Sequence, residues 1–225
     1  MGTGVRTGAA GRQTLLARYG LPPAEIEARS LALVQKLAGA ALPSDPAARH
    51  AATMMLYATG DPDLAGAIRF HPAAIDSALA PLRAGCRVVV DVRMVAAAAE
   101  RERLTRLGCE LICAIEQPGV ALAAGERGTT QSAAAMQLLA HRLDGAVVVI
   151  GNAPTALLAL LDAMDDGRAR PALIIGTPVG LVAASEAKDE LTRRSTPYIT
   201  VLGTRGGSAI AAAALNALLK LATEG

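Results

Sequence analysis

From residue 86 onward the chain alternates short, almost wholly apolar runs with longer stretches whose apolar positions recur every three or four residues. The first run, "CRVVVD", is followed by "VRMVAAAAERERLTRLG", and the second, "CELICAI", by "TTQSAAAMQLLAHRL". The scheme repeats in "AVVVIGNAPTALLALLDAM", "PALIIGTPVGLVAASEAKDEL" and "PYITVLGTRGGSAIAAAALNALL". Brief β-branched runs without polar alternation read as strands buried on both faces, and the periodic stretches read as helices. Strands alternating with helices require right-handed crossovers, which predicts an α/β fold with a parallel sheet of about five strands flanked by helices.

Additional helices precede the sheet. "LPPAEIEARSLALVQKLAGA" has two prolines at its start and Ile26, Leu31, Val34 and Leu37 near helical spacing. "SDPAARHAATMMLYATG" has Ser44 or Asp45 as cap, Pro46 in the first turn and Gly60 at the end. "HPAAIDSALAPLRAG" is a third, with Gly85 just past its end. Nothing reads as a linker, so residues 15–225 are expected to form a single domain behind a flexible, Gly-rich segment, 1–14.

Composition narrows the function classes. Hydrophobic residues make up 52% of the chain but aromatics only 2%, so Ala, Val, Leu and Ile must build the core. A net charge of +2 supplies no basic field for nucleic acid. No run is long and apolar enough to cross a membrane, and the first residues lack a secretory core, so a cytoplasmic protein is expected. Cys86, Cys109 and Cys113 are too few for a disulfide framework. Cys109 and Cys113 fall on one face of a strand and read as buried thiols. Neither the cysteines nor His50, His71 and His141 stand at metal-ligand spacing, so no metal site is expected.

The last three strands run directly into glycine-containing loops, "GNAPTA", "GTPVG" and "GTRGGS". Parallel sheets bind ligands at the carboxyl ends of their strands, and N–H groups at helix starts attract anions. No P-loop, dinucleotide fingerprint or nucleophile elbow is present. The remaining chemistry is a rim of backbone donors, hydroxyls and Arg, suited to a large ligand bearing several carboxylates.

The segments "ARSLALV", "ATGDPDLA", "IRFHPAAI", "DVRMV", "GTTQSAAA", "IGNAPTALLALL", "IIGTPVGLVAASEAKDEL" and "GTRGGSAIAAAALNAL" together resemble the precorrin-8X methylmutases (precorrin isomerases). That resemblance implies an α/β homodimer with active sites near the subunit interface and no cofactor. It implies an isomerase of cobalamin biosynthesis that moves a methyl group from C-11 to C-12 of a tetrapyrrole, precorrin-8X or cobalt-precorrin-8. The product is hydrogenobyrinate or its cobalt form. It also marks departures. Tyr57 stands where the family typically has its proposed general acid, a His, and phenols are weaker acids than imidazolium. Gln131 stands where the family commonly has Arg, and Arg93 where it often has Asn or Glu, while Ser30 is retained. Tyr57 is therefore the candidate catalytic residue, and Ser30, Arg93 and Gln131 are candidate substrate contacts. Thr59, Asn152 and Thr155 are candidate polar contacts in flanking loops, and Arg205 and Ser208 candidate carboxylate ligands at a helix start. Glu186 and Lys188 fall in the family's E-x-K. His50, two helical turns before Tyr57 and so about 10 Å away, is too far to replace it. His71 reads as a turn residue. The alternative is a non-catalytic tetrapyrrole-binding paralogue acting as carrier or channelling partner.

Overall fold

A computed structural model describes residues 14–225, apart from the side chains of Pro23 and Ala24; the expected flexible segment falls almost wholly outside this range. The chain begins with α1 (Leu15–Tyr19), α2 (Pro23–Ala38) and α3 (Pro46–Thr59). Asp45, not Ser44, caps α3: its Oδ1 accepts the Ala48 N–H at 2.8 Å. Gly60 ends the helix in the left-handed conformation at φ 63°, which suits a residue without Cβ.

A 3-10 turn, Pro62–Ala67, then leads into β1 (Ile68–Phe70), followed by α4 (Ala74–Arg83) and β2 (Arg87–Val90). Next come α5 (Arg93–Ala98), α6 (Arg101–Arg106), β3 (Glu110–Cys113), α7 (Val120–Arg127), α8 (Gln131–Leu139) and β4 (Val147–Ile150). The chain closes with α9 (Pro154–Asp165), β5 (Leu173–Gly176), α10 (Ala184–Thr192), β6 (Tyr198–Val201) and α11 (Ser208–Glu224). The sheet has six strands in the order β1-β6-β5-β4-β2-β3. Five are parallel, and β1 runs antiparallel to β6, with Ile68 opposite Val201 and Phe70 opposite Ile199.

Both faces of the sheet are buried. Val88, Val90, Val147, Val149, Leu173 and Ile175 join the core under α3, α4 and α11, while Val89, Val148, Ile150 and Ile174 join the core under α8 and α9. This is why the strands show no polar alternation. Cys109 and Cys113 belong to the first of these cores, on one face as expected. Cys86 packs beside Cys109, and burial pushes its thiol up to about 12.

Four elements differ from the sequence-based expectation, the first being α1, which lies ahead of the first expected helix. β1 is an added edge strand only three residues long, too short to show a period. The helix expected over 92–108 is two, because Ala99 and Glu100 are extended. Asn216 of α11 satisfies both sides of that break, accepting the Glu100 N–H and donating to the Ala98 carbonyl, each at 2.9 Å. Helix α7, which begins just after the left-handed Gly119, was not expected at all.

Candidate active site

Because β2 to β6 are parallel, the loops that follow them all open on one edge of the sheet. The antiparallel β1 brings the end of α3 to the same edge. Ile68, where β1 starts, pairs with Val201, where β6 ends, and the Leu202 N–H donates to the Ala67 carbonyl at 2.9 Å. The short strand is therefore what delivers Tyr57 to the carboxyl rim.

Tyr57, 37% exposed, lines a cavity of about 270 Å³ with Ser30, Leu33, Val34, Leu37, Leu56, Gly60 and Pro62. The walls are mainly aliphatic, and the phenol and the Ser30 hydroxyl are the polar side chains among them. Ser30 Oγ donates to the Ile26 carbonyl at 2.7 Å, one turn back along α2. Thr59 Oγ1 donates to the Leu56 carbonyl at 2.9 Å and accepts the Asp61 N–H at 3.2 Å, so it shapes the turn after α3. His50 lines a different cavity, with Leu31, Gln35 and Thr53, where burial and then Lys220 lower its basicity. His71 Nδ1 accepts the Ala73 N–H at 3.1 Å, and its ring meets Tyr198 edge-on.

The glycine loops do converge, but largely on one another. A Cβ on Gly151 would lie 2.8 Å from Ser208 Cα, and one on Gly206 would strike the Thr177 carbonyl. The Gly207 N–H donates to the Thr177 carbonyl at 2.8 Å, and the Gly180 N–H to the Thr204 carbonyl at 3.1 Å. The expectation that the "GNAPTA" loop presents free backbone donors to a ligand anion is corrected by Asp91. This fully buried carboxylate at the end of β2 accepts the N–H groups of Gly151, Asn152 and Ala153 at 3.1, 2.8 and 3.1 Å. Burial raises the Asp91 carboxyl above its ordinary value, and the three backbone bonds counter that rise. The anion this loop attracts is internal.

Lys188 of α10 is equally buried. Its ammonium donates to the Pro178 carbonyl at 3.0 Å and the Arg205 carbonyl at 2.7 Å, stitching the loops after β5 and β6 together. Burial lowers its pKa to about 8.

The other candidates are distributed around the rim. Thr155 shares a 2.8 Å hydrogen bond with Thr130, the residue before Gln131, which is itself exposed at the start of α8. Arg93 is ion-paired with Glu116 at 2.7 Å and largely solvated. Arg205 Nη1 donates to Asp61 Oδ2 at 2.7 Å. The hydroxyls of Ser208 and Thr177 are buried without a hydrogen-bond partner among the described residues.

A family model described as precorrin-8X methylmutase matches residues 25–221. The chain belongs to the precorrin-8X methylmutase family. These proteins are isomerases of cobalamin synthesis. The chain is 46% identical over 169 residues to the precorrin-8X methylmutase of Pseudomonas aeruginosa, covering 74% of this chain and 81% of that one. It is 39% identical over 171 residues to the cobalt-precorrin-8 methylmutase of Priestia megaterium, covering 76% of each. The solved precorrin-8X methylmutase of Thermus thermophilus superposes with a TM-score of 0.81 at 38% identity, covering 89% of this chain and 98% of that one.

Within this methylmutase-family chain, sequence reading missed Asp61, Asp91 and Thr130 as members of the rim. Asp91 did carry a signal: a lone acid closing an apolar strand must find donors if it is buried. Asp61 and Thr130 look like ordinary turn and cap residues, and only the fold reveals their partners. Among the described residues no helix is long and apolar enough to cross a membrane.

Proposed function

We propose that this chain catalyses the C-11 to C-12 methyl migration of precorrin-8X or cobalt-precorrin-8, with Tyr57 donating a hydrogen bond or proton to the macrocycle. The observation that carries the reading is the aliphatic cavity that Tyr57 and Ser30 both line at the carboxyl rim of a methylmutase-family sheet. The apolar walls suit the face of a tetrapyrrole, and a sigmatropic shift needs chiefly a held geometry and a positioned donor. Arg205, Asn152 and Thr155, around the rim, are the polar groups available to peripheral carboxylates, whereas the Ser208 hydroxyl is buried beneath it.

The cavity, about 270 Å³, is smaller than the roughly 300–1,000 Å³ of common ligand sites, so it accommodates one edge of the macrocycle. A second copy of the chain supplies the rest in this reading. Val179, Leu181 and Val182 support such a homodimer: they are 45%, 90% and 83% exposed in the loop between β5 and α10. In that loop Ala183 adopts a φ of 63°, rare for a residue with a Cβ. The enzyme is taken to be cytoplasmic and to need no redox cofactor.

The test is to mix purified protein with precorrin-8X and follow the absorption spectrum. Conversion to the hydrogenobyrinate spectrum is expected. A stable, unreacted complex would instead assign the chain as a tetrapyrrole-binding paralogue. Gln131 bears on the same reading, since its exposed position at the start of α8 has room for a cation. Gln131→Arg is expected to tighten hydrogenobyrinate binding about tenfold, the increment of one charged hydrogen bond to a carboxylate. An unchanged dissociation constant in a titration would show that no substrate carboxylate reaches this position.

A further inference from the structure

Asp61 follows the left-handed Gly60 that ends α3, and its carboxylate is used twice. Oδ1 accepts the Asp63 N–H at 3.1 Å, closing the turn, and Oδ2 accepts Arg205 Nη1 at 2.7 Å. The second bond ties the turn to the loop after β6 across 144 positions of sequence. Gly60 and Pro62, on either side of Asp61, line the Tyr57 cavity. The Arg205 main chain is held separately, because its carbonyl accepts from the buried Lys188 ammonium.

The two ends of this ion pair are half-open to solvent, the Arg205 side chain 51% exposed and that of Asp61 38%. A pair so exposed is weak and is readily exchanged for another carboxylate. A guanidinium offers five donors in a rigid fork, and the Asp61 contact engages Nη1 alone. The anchored backbone, the free fork and the weak internal partner together describe an arginine that can pass from one carboxylate to another.

We propose that Asp61 is a positioning residue that competes with a carboxylate of the tetrapyrrole for Arg205, so that ligand binding exchanges the internal carboxylate for an external one and releases the turn beside Tyr57. This rests on the reading that the rim binds a polycarboxylate macrocycle. Asp61 therefore lowers affinity and couples capture at Arg205 to the end of α3.

The probe is hydrogenobyrinic acid, titrated against wild type and variants of the full chain. Asp61→Asn is expected to bind it about two- to fivefold more tightly, the range of an exposed ion pair. Asp61→Ser, whose hydroxyl can still accept the Asp63 N–H, should show the same gain, and Asp61→Glu should return to the wild-type value. Arg205→Gln should weaken binding about tenfold or more. In the Arg205→Gln background, Asp61→Asn should give no gain. An Asp61 that served only to shape the turn would weaken binding in every background. A gain absent from both Asp61→Asn and Asp61→Ser, or one that persists without Arg205, overturns the exchange while leaving the functional reading intact. Failure of the wild type to bind hydrogenobyrinic acid overturns that reading, and the exchange with it.

Discussion

Tyr57→His is expected to accelerate methyl migration about tenfold or more. A positioned proton donor is worth roughly 10²–10⁴ in rate, and imidazolium is a much stronger acid than a phenol at neutral pH. The substitution is sterically mild: Tyr57 is 37% exposed at the mouth of the cavity, so a smaller ring opens no sealed void in the core. The change should appear in kcat, because the aliphatic walls that hold the macrocycle are untouched. It should also introduce a new pH dependence. The histidine acts as an acid only when protonated, so the variant's advantage should be full below about 6.5 and decline as pH rises through that value. The wild-type profile should lack this limb. Tyr57→Phe, which keeps the ring and deletes the donor, separates chemistry from packing. If Tyr57→His and Tyr57→Phe both turn over at the wild-type rate, residue 57 supplies no proton and its role is contact alone.

The parallel sheet was legible in the sequence because both faces of each strand are buried, leaving uninterrupted runs such as "VVVI" and "ALIIG". The cap at Asp45 and the stop at Gly60 were legible because each rests on local chemistry. What escaped reading depends on distant partners. β1 is a strand only because β6 pairs with it, and Ile68 to Phe70 carry no period of their own. The break at Ala99 exists because Asn216, on the last helix, accepts and donates there. The same divide runs through the rim. The glycines announced close approaches, and Gly151 and Gly206 do meet neighbouring loops. Asp91 announced a need for donors, but nothing local announced that those donors are the N–H groups after β4, or that Arg205 is held by Asp61.

Asp91 is the residue on which the loop after β4 depends, and Asp91→Asn is expected to destabilise the fold by about 1–3 kcal/mol. Two effects oppose each other. Removing a buried charge relieves the desolvation that raises this carboxyl, which is stabilising. Yet an amide has a single acceptor oxygen where the carboxylate uses two. Asp91 Oδ1 receives the Gly151 N–H, and Oδ2 receives those of Asn152 and Ala153. Whichever way the amide turns, its NH₂ faces at least one backbone N–H, and a buried donor left without a partner costs about 1–3 kcal/mol. The more favourable flip strands the Gly151 N–H and sets amide hydrogens against it, and the site is sealed by Ser208 and Ala211 at the Gly151 backbone, with no slack for repair. The hydrogen-bond loss therefore exceeds the relief of desolvation. Denaturant unfolding should show a lower midpoint with an unchanged slope. Because Asn152 and Ala153 lead directly into α9 and Thr155, turnover should fall as well, at temperatures where the variant remains folded. A loss of stability below about 1 kcal/mol would mean that burial of the charge, rather than its three backbone bonds, dominates the energetics of this corner.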